Sequence, residues 1–329
     1  MPIIEQRGLH IDYLEAGRGA PVVLVHSSAS GNRQWRKLIE RLSPHHRVIA
    51  PNLLGNGATT AWRAPRPQTL ADAAQVVLGL VEGLQLEAPL RLVGHSWGGA
   101  VALHAAHVLG QRVSKLVLYE PMLPGLLKKH GRLQAAAETG DLYAHLQRCA
   151  ASGDWPAAAE RFTDYFNGDG SWAAMPPERR QLIAGLLAPN LHEWDAAMAP
   201  MRADAFAGVS AQTLLMRGRT TRPALTEMAG VLYQHFTQWR LVDVASCGHM
   251  APLTHADVIN SWIADFLDDD VARQARVETA ASALQSAHHA CVPFKTVRGQ
   301  AAHAAARRQA AGGMPNSRLN ARLNAAGDS

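Results

Sequence analysis

The chain runs to 329 residues, 47% of them hydrophobic, which is enough to bury one large α/β domain or two small ones. No uninterrupted apolar run reaches membrane-spanning length, and the opening Met-Pro-Ile-Ile-Glu-Gln-Arg is not a basic-then-apolar export signal, so a cytoplasmic protein with no membrane partner is expected. The formal net charge of +5 suggests nucleic acid until it is located: residues 271–329 hold eight Arg and Lys against one Glu and one Asp, a tail of +6 on a body of −1, so no nucleic-acid partner is expected for the core.

In chain order, Ile3–Arg7 and Leu9–Glu15 read as a strand pair, Val22–Val25 as a buried strand, and Trp35, Leu38, Ile39 and Leu42 as the apolar face of a helix. A short strand Val48–Ala50 and a loop rich in Pro, Gly and Thr follow. A helix is then predicted from about Leu70 to Leu86, carried by Val76, Val77, Leu80, Val81 and Leu84. A strand, a tight turn and a helix occupy Leu90–Val108, and a strand covers Val113–Tyr119. Regular alternation of this kind implies a parallel sheet covered by helices on both faces.

Between about Pro121 and Gly208 the alternation stops, and an aromatic, helical segment containing Trp155, Phe162, Tyr165, Phe166, Trp172 and Trp194 takes its place. Alternation resumes with a strand Thr213–Met216, a helix Pro223–Phe236, a strand Trp239–Val244, a loop with His249 and a helix Asp257–Leu267. The division expected is a core of residues 1–120 and 209–270, a helical lid of 121–208, and a basic Ala/Arg-rich tail of 271–329 with too few large apolar residues to fold. Cys149, Cys247 and Cys291 are few, scattered and odd in number, which points to free thiols rather than disulfides or a metal site.

Leu92-Val93-Gly94-His95-Ser96-Trp97-Gly98-Gly99-Ala100 carries the chemistry. An apolar run meets Gly-x-Ser-x-Gly and enters an Ala-rich helical run, the context in which a serine sits exposed on a strained strand-to-helix turn at the positive end of a helix. With His26-Ser27-Ser28 and Trp35 upstream, Asn52-Leu53-Leu54-Gly55-Asn56-Gly57-Ala58-Thr59 after the fourth strand, and Gly248-His249-Met250 near the end, residues 1–268 resemble the α/β-hydrolase superfamily. The resemblance implies a mostly parallel eight-stranded sheet flanked by helices, with Ser96 as nucleophile and His249 as the base that follows it in chain order.

The third member departs from the superfamily's usual pattern. The loop after the seventh strand, Arg217-Gly218-Arg219-Thr220-Thr221-Arg222-Pro223, holds no carboxylate, whereas some relatives place the acid at the end of the sixth strand, where Glu120 stands here. Asp204 and Asp243 are rivals, and a dyad with Thr221 or water as the third partner stays open. By the same resemblance the oxyanion hole is built from the backbone N–H groups of Ser28 and Trp97. Ser27 stands where glycine is usual, and Asn52 replaces a frequent Asp in a structural role. His26 is expected to shape its loop and, with Met122, Leu126, Trp155, Trp172 and Trp194, to border an apolar substrate pocket.

A serine nucleophile suits acyl transfer and disfavours haloalkane or epoxide opening, which the superfamily performs with an aspartate at that place. The activity expected is hydrolysis of a carboxylic ester, thioester or lactone of a small to medium apolar molecule. C–C bond hydrolysis, perhydrolysis and cyanohydrin cleavage remain on the same residues, as does a non-catalytic ligand-binding member of the fold. No cofactor and no metal are expected, and the partner implied is a small-molecule substrate.

Overall fold

A computed structural model describes residues 2–87 and 89–269; the tail from 271, expected to be disordered, and Cys291 within it lie outside the described residues. The chain opens with β1 (Ile3–Gln6) and β2 (Leu9–Ala16), an antiparallel pair. It continues through β3 (Ala20–Val25), α1 (Arg36–Leu42), β4 (His46–Pro51), α2 (Leu70–Gly83), β5 (Leu90–His95), α3 (Trp97–Leu109) and β6 (Val113–Tyr119). Thr69 starts α2 by a reciprocal cap with Asp72, each side chain taking the other's backbone N–H, which satisfies two donors the helix leaves open.

Five helices then interrupt the alternation: α4 (Gly125–Lys129), α5 (Leu133–Ser152), α6 (Trp155–Asn167), α7 (Pro177–Gly185) and α8 (Leu187–Met198). The core resumes with β7 (Gln212–Gly218), α9 (Pro223–His235), β8 (Arg240–Val244), a short α10 (Ala251–Thr254) that the sequence pattern does not predict, and α11 over 256–269. Among the described residues no helix is long and apolar enough to cross a membrane.

The eight strands lie in the order β1-β2-β4-β3-β5-β6-β7-β8, with β2 antiparallel to both of its neighbours and the run from β4 to β8 parallel. Strand alternation sorts the side chains into two cores. Val23, Val25, Leu92, Leu116 and Leu118 face α2 and α3 on one side. Val22, Leu24, Val93, Val117, Leu214 and Met216 face α1 and α11 on the other. A sheet buried on both faces explains why all six positions of β5 are buried. Lys115, on β6, is buried too, and its Nζ donates to the Phe266 carbonyl of α11 at 2.8 Å. Because β3, β5, β6, β7 and β8 run parallel, their carboxyl ends share one edge of the sheet, and the loops leaving that edge bring distant parts of the sequence together.

Candidate active site

Ser96 occupies the turn between β5 and α3 with φ 56° and ψ −122°, a backbone conformation that L residues seldom adopt. The turn is possible only because its neighbours are small: a Cβ on Gly98 would stand 2.3 Å from the carbonyl oxygens of both Val25 and His26. The end of β3 is thus pressed directly against the start of α3.

His249 lies in the loop between β8 and α10, 153 positions along the chain from Ser96, yet its Nε2 is 2.9 Å from Ser96 Oγ. Its Nδ1–H donates to Glu120 Oε2 at 2.7 Å. Glu120, immediately after β6, also has a positive φ, 43°, and is 1% exposed. Two further donors hold its carboxylate: the Gly218 N–H to Oε1 at 2.7 Å and the Thr221 hydroxyl to Oε2 at 2.9 Å. Gly218 must lack a side chain, because a Cβ there would meet the Cys247 carbonyl at 2.1 Å. The loop after β7, although without an acid, therefore supplies the donors that hold the acid from β6. The rival carboxylates are engaged elsewhere: Asp204 pairs with Arg202 at 3.1 Å and Asp243 with Arg217, all at the surface or partly exposed.

Ser28, in the loop after β3, lines the same cavity as Ser96, and Trp97 follows Ser96 in the first turn of α3. Among the described residues neither backbone N–H meets an acceptor. His26 is fully buried behind this loop; its Nδ1–H donates to the Ser27 carbonyl at 2.7 Å and its Nε2 accepts the Leu53 N–H at 2.9 Å. Burial lowers its pKa to about 4, so it stays neutral and ties the two loops together. Asn52 does similar work, accepting from the Asn32 N–H at 2.9 Å and donating to Asp12 Oδ2 at 2.8 Å.

A cavity of about 810 Å³ opens above Ser96 and His249. Its wall corrects the pocket expected from sequence, since His26, Met122, Leu126, Trp155, Trp172 and Trp194 are not among the residues that line it. Met122, Trp172 and Trp194 are buried between the inserted helices, with Trp155 packed against them, and Leu126 belongs to the core on the α2 and α3 side. Large apolar side chains on a helical insertion are consumed first in holding the helices to one another. The cavity takes Phe162 and Phe166 from α6, Leu182 and Ile183 from α7, Leu186 beyond it, and Met250 and Leu253 from the histidine loop and α10. Phe162/Phe166 and Leu182/Leu186 are spaced four apart, the sequence signature that would have revealed this face. The Phe166 ring lies 4.7 Å from the His249 imidazole, centroid to centroid. The charged lining residues, Arg33, Glu178 and Arg179, are all exposed.

One buried acid is not singled out by sequence. Glu193 on α8 is 3% exposed, with Asn190 and the Ser28 hydroxyl facing it, and Glu193 Oε1 and Asn190 Oδ1 have no hydrogen-bond partner. Burial pushes the Glu193 carboxyl up to about 7, while Ser28 and Asn190 pull the other way.

Residues 22–262 match the model of the Alpha/beta hydrolase family. The chain belongs to that family and is an enzyme of the hydrolase class. It is 27% identical over 286 residues to 2-hydroxy-6-oxo-2,4-heptadienoate hydrolase of Pseudomonas putida, covering 79% of this chain and 93% of that one. Its fold is similar to those of the enol-lactonase from Burkholderia xenovorans LB400 (TM-score 0.65, 19% identity, 81% of this chain and 99% of that one) and an esterase from Exiguobacterium antarcticum (TM-score 0.66, 21% identity, 81% and 98%).

Proposed function

We propose that the protein is a serine hydrolase working by acyl transfer, with Ser96 as nucleophile, His249 as general base and then general acid, and Glu120 as the carboxylate that orients and stabilises the imidazolium. The observation that carries this reading is the unbroken contact from Ser96 Oγ to His249 Nε2 and from His249 Nδ1 to Glu120, at the floor of an apolar cavity. Ser96 Oγ attacks the substrate carbonyl as its proton passes to His249. The oxyanion forms between the N–H groups of Trp97 and Ser28, which no protein acceptor occupies. Collapse releases the alcohol, thiol or ring oxygen with the proton returned by His249, and a water activated by the same imidazole then frees the acid.

The substrate class is an ester, thioester or lactone whose acyl part is apolar and of small to medium size. A cavity of about 810 Å³ walled by Phe162, Phe166, Ile183, Leu186 and Met250 favours it. The Pseudomonas relative's name keeps a second reading, hydrolysis of a C–C bond next to a ketone, on the same residues. The exposed placement of the charged lining residues favours the ester. Two measurements test the proposal: labelling by a fluorophosphonate, mapped by mass spectrometry, and turnover of p-nitrophenyl esters of increasing chain length. Adduct formation confined to Ser96, with turnover highest for butyrate to octanoate, is expected. Failure of Ser96 to label would overturn the mechanism, and labelling without turnover of any ester or lactone would overturn the substrate class.

A further inference from the structure

In the sequence the residue before the nucleophile reads as the free position of the turn, but its side chain is the centre of a buried relay. His95 is fully buried, and its imidazole touches neither solvent nor the cavity. Three consecutive carbonyls of the histidine loop are held by the strand ends and the turn after β7: Cys247 O accepts from the Thr220 N–H at 2.9 Å, Gly248 O from the Tyr119 hydroxyl at 2.8 Å, and His249 O from His95 Nε2 at 2.8 Å. A carbonyl brings no proton, so His95 Nε2 must carry it and Nδ1 must accept. That fixes the group facing Nδ1, at 3.1 Å, as the NH₂ of Gln34. The Gln34 amide oxygen then points to Ser27, accepting its N–H at 3.1 Å and its hydroxyl at 2.8 Å. Every donor and acceptor along the line has one role, and reversing any of them sets two like groups face to face. Burial, reinforced by neighbouring His249 and His26, holds the His95 pKa well below the usual histidine range, which preserves the neutral form the relay requires.

Building on the serine hydrolase reading, we infer that His95 and Gln34 are positioning residues that hold the oxyanion loop and the histidine loop in one fixed relation to the nucleophile. One end of the relay grips Ser27, whose carbonyl belongs to the same peptide as the Ser28 N–H donor. The other end grips the backbone of the general base. His95 lies outside the cavity, and Gln34, although it borders the cavity, has its amide taken up by Ser27 and His95. Both act through the loops that touch the reacting atoms, where a displacement of about 1 Å costs on the order of a hundredfold in rate.

The test compares His95→Phe, Gln34→Met, the double variant and His95→Gln, whose amide restores one donor and one acceptor. The readouts are kcat and KM for p-nitrophenyl butyrate, the second-order rate of fluorophosphonate labelling, and the thermal midpoint. Each single loss should lower kcat roughly 10- to 100-fold; KM should stay within about threefold in His95→Phe, because His95 lies outside the cavity, whereas Gln34 lines it and the kcat and labelling rate of Gln34→Met are the readouts that decide. Labelling should slow in parallel. The double variant should be no worse than about threefold below the weaker single one, since either change severs the same line, and His95→Gln should recover much of the loss. Wild-type kcat in Gln34→Met, or effects that multiply in the double variant, would overturn the relay, as would a fall in thermal midpoint without any fall in kcat. Should His95→Phe fail to fold, Gln34→Met and His95→Gln decide the same question. A wild-type enzyme that fluorophosphonate cannot label would overturn the serine hydrolase reading itself, whereas a reactive wild type with an unimpaired Gln34→Met overturns the relay alone.

Discussion

Replacing Glu120 by glutamine is the most informative single perturbation, because the carboxylate's three partners are all donors. Oε1 accepts the Gly218 N–H; Oε2 accepts the Thr221 hydroxyl and the His249 Nδ1–H. A glutamine must place its NH₂ at one of these positions. Facing Gly218, it opposes one N–H with another inside a region that is 1% exposed at position 120. Facing His249, it demands an acceptor at Nδ1, which moves the imidazole proton to Nε2 and removes the base from Ser96. In either orientation the negative charge beside the developing imidazolium is gone. Leaving one member of a buried ion pair without its partner costs about 3–5 kcal/mol, which at about 1.4 kcal/mol per decade predicts a fall in kcat of roughly 10²–10⁴-fold. KM should move little, since Glu120 is not part of the cavity wall. Thr221→Val removes one of the three donors and leaves the charge, so a loss of about 10-fold is expected. Asp243→Asn and Asp204→Asn should stay within about threefold, their carboxylates being held by Arg217 and Arg202. The assay is steady-state ester hydrolysis referred to enzyme counted by fluorophosphonate titration, with circular dichroism to confirm the fold. Near wild-type kcat in a folded Glu120→Gln variant would refute the reasoning and transfer the role to another group.

Ser96→Ala should abolish turnover by several orders of magnitude while preserving the circular dichroism spectrum; residual activity in a pure preparation would sink the assignment. Ile183→Trp, which adds bulk to the cavity wall, should shift the preferred p-nitrophenyl ester to a shorter chain with little change in kcat for acetate; an unchanged chain-length profile would remove α7 from the substrate's path. Glu193→Gln should change the pH dependence of stability. Native Glu193 keeps its proton up to about 7 while the unfolded chain releases it near 4.5, so the wild type loses stability as pH rises between these values and stays lower above them, by about 3 kcal/mol in all. Urea midpoints at pH 5 and pH 8 should therefore differ more in the wild type than in Glu193→Gln, and parallel midpoints in the two proteins would contradict the protonated buried carboxyl.

How much of this is legible in the sequence depends on the range of the physics involved. The turn at Ser96 is legible because its requirement is steric and local: strand and helix converge, and Gly98 leaves the space for it. The sheet is legible because strands buried on both faces carry short unbroken apolar runs, as Leu92-Val93 in β5 and Leu116-Val117-Leu118-Tyr119 in β6 do. The approach of Glu120 to His249 follows from strand order, β6 and β7 being neighbours and β7 and β8 neighbours in turn. The cavity wall is not legible in this way. Trp155, Trp172 and Trp194 present the same composition whether they face a substrate or another helix, and only the packing of α5, α6 and α8 decides. The relay through His95 and Gln34 is still less so, joining positions 34, 95 and 249 by polar atoms that leave no periodic trace in the sequence.

The backbone gives an independent reason to regard these loops as one device. Among the described residues, six other than glycine have positive φ: Arg7, Ala29, Gln85, Ser96, Glu120 and Ser246. Ser96 and Glu120 are themselves the proposed nucleophile and acid. Ala29 follows Ser28, the proposed oxyanion donor, and Ser246 lies three positions before His249. A residue in this region costs on the order of 1–3 kcal/mol and persists only where surrounding contacts over-determine it. Four such residues at the carboxyl edge of one sheet therefore represent several kcal/mol that the core must offset. For Ser96 and Glu120 the structure supplies the over-determination: the Ser96 N–H bonds the Tyr119 carbonyl at 3.0 Å, the Glu120 N–H bonds the Met216 carbonyl at 2.9 Å, and the Met122 N–H bonds the Ser96 carbonyl at 3.0 Å. These bonds extend the sheet's ladder past the ends of the strands and into the strained residues. The side chains of Ser96 and Glu120 are thereby aimed by the rigid sheet itself, whereas the aromatic helices above them supply walls of the cavity.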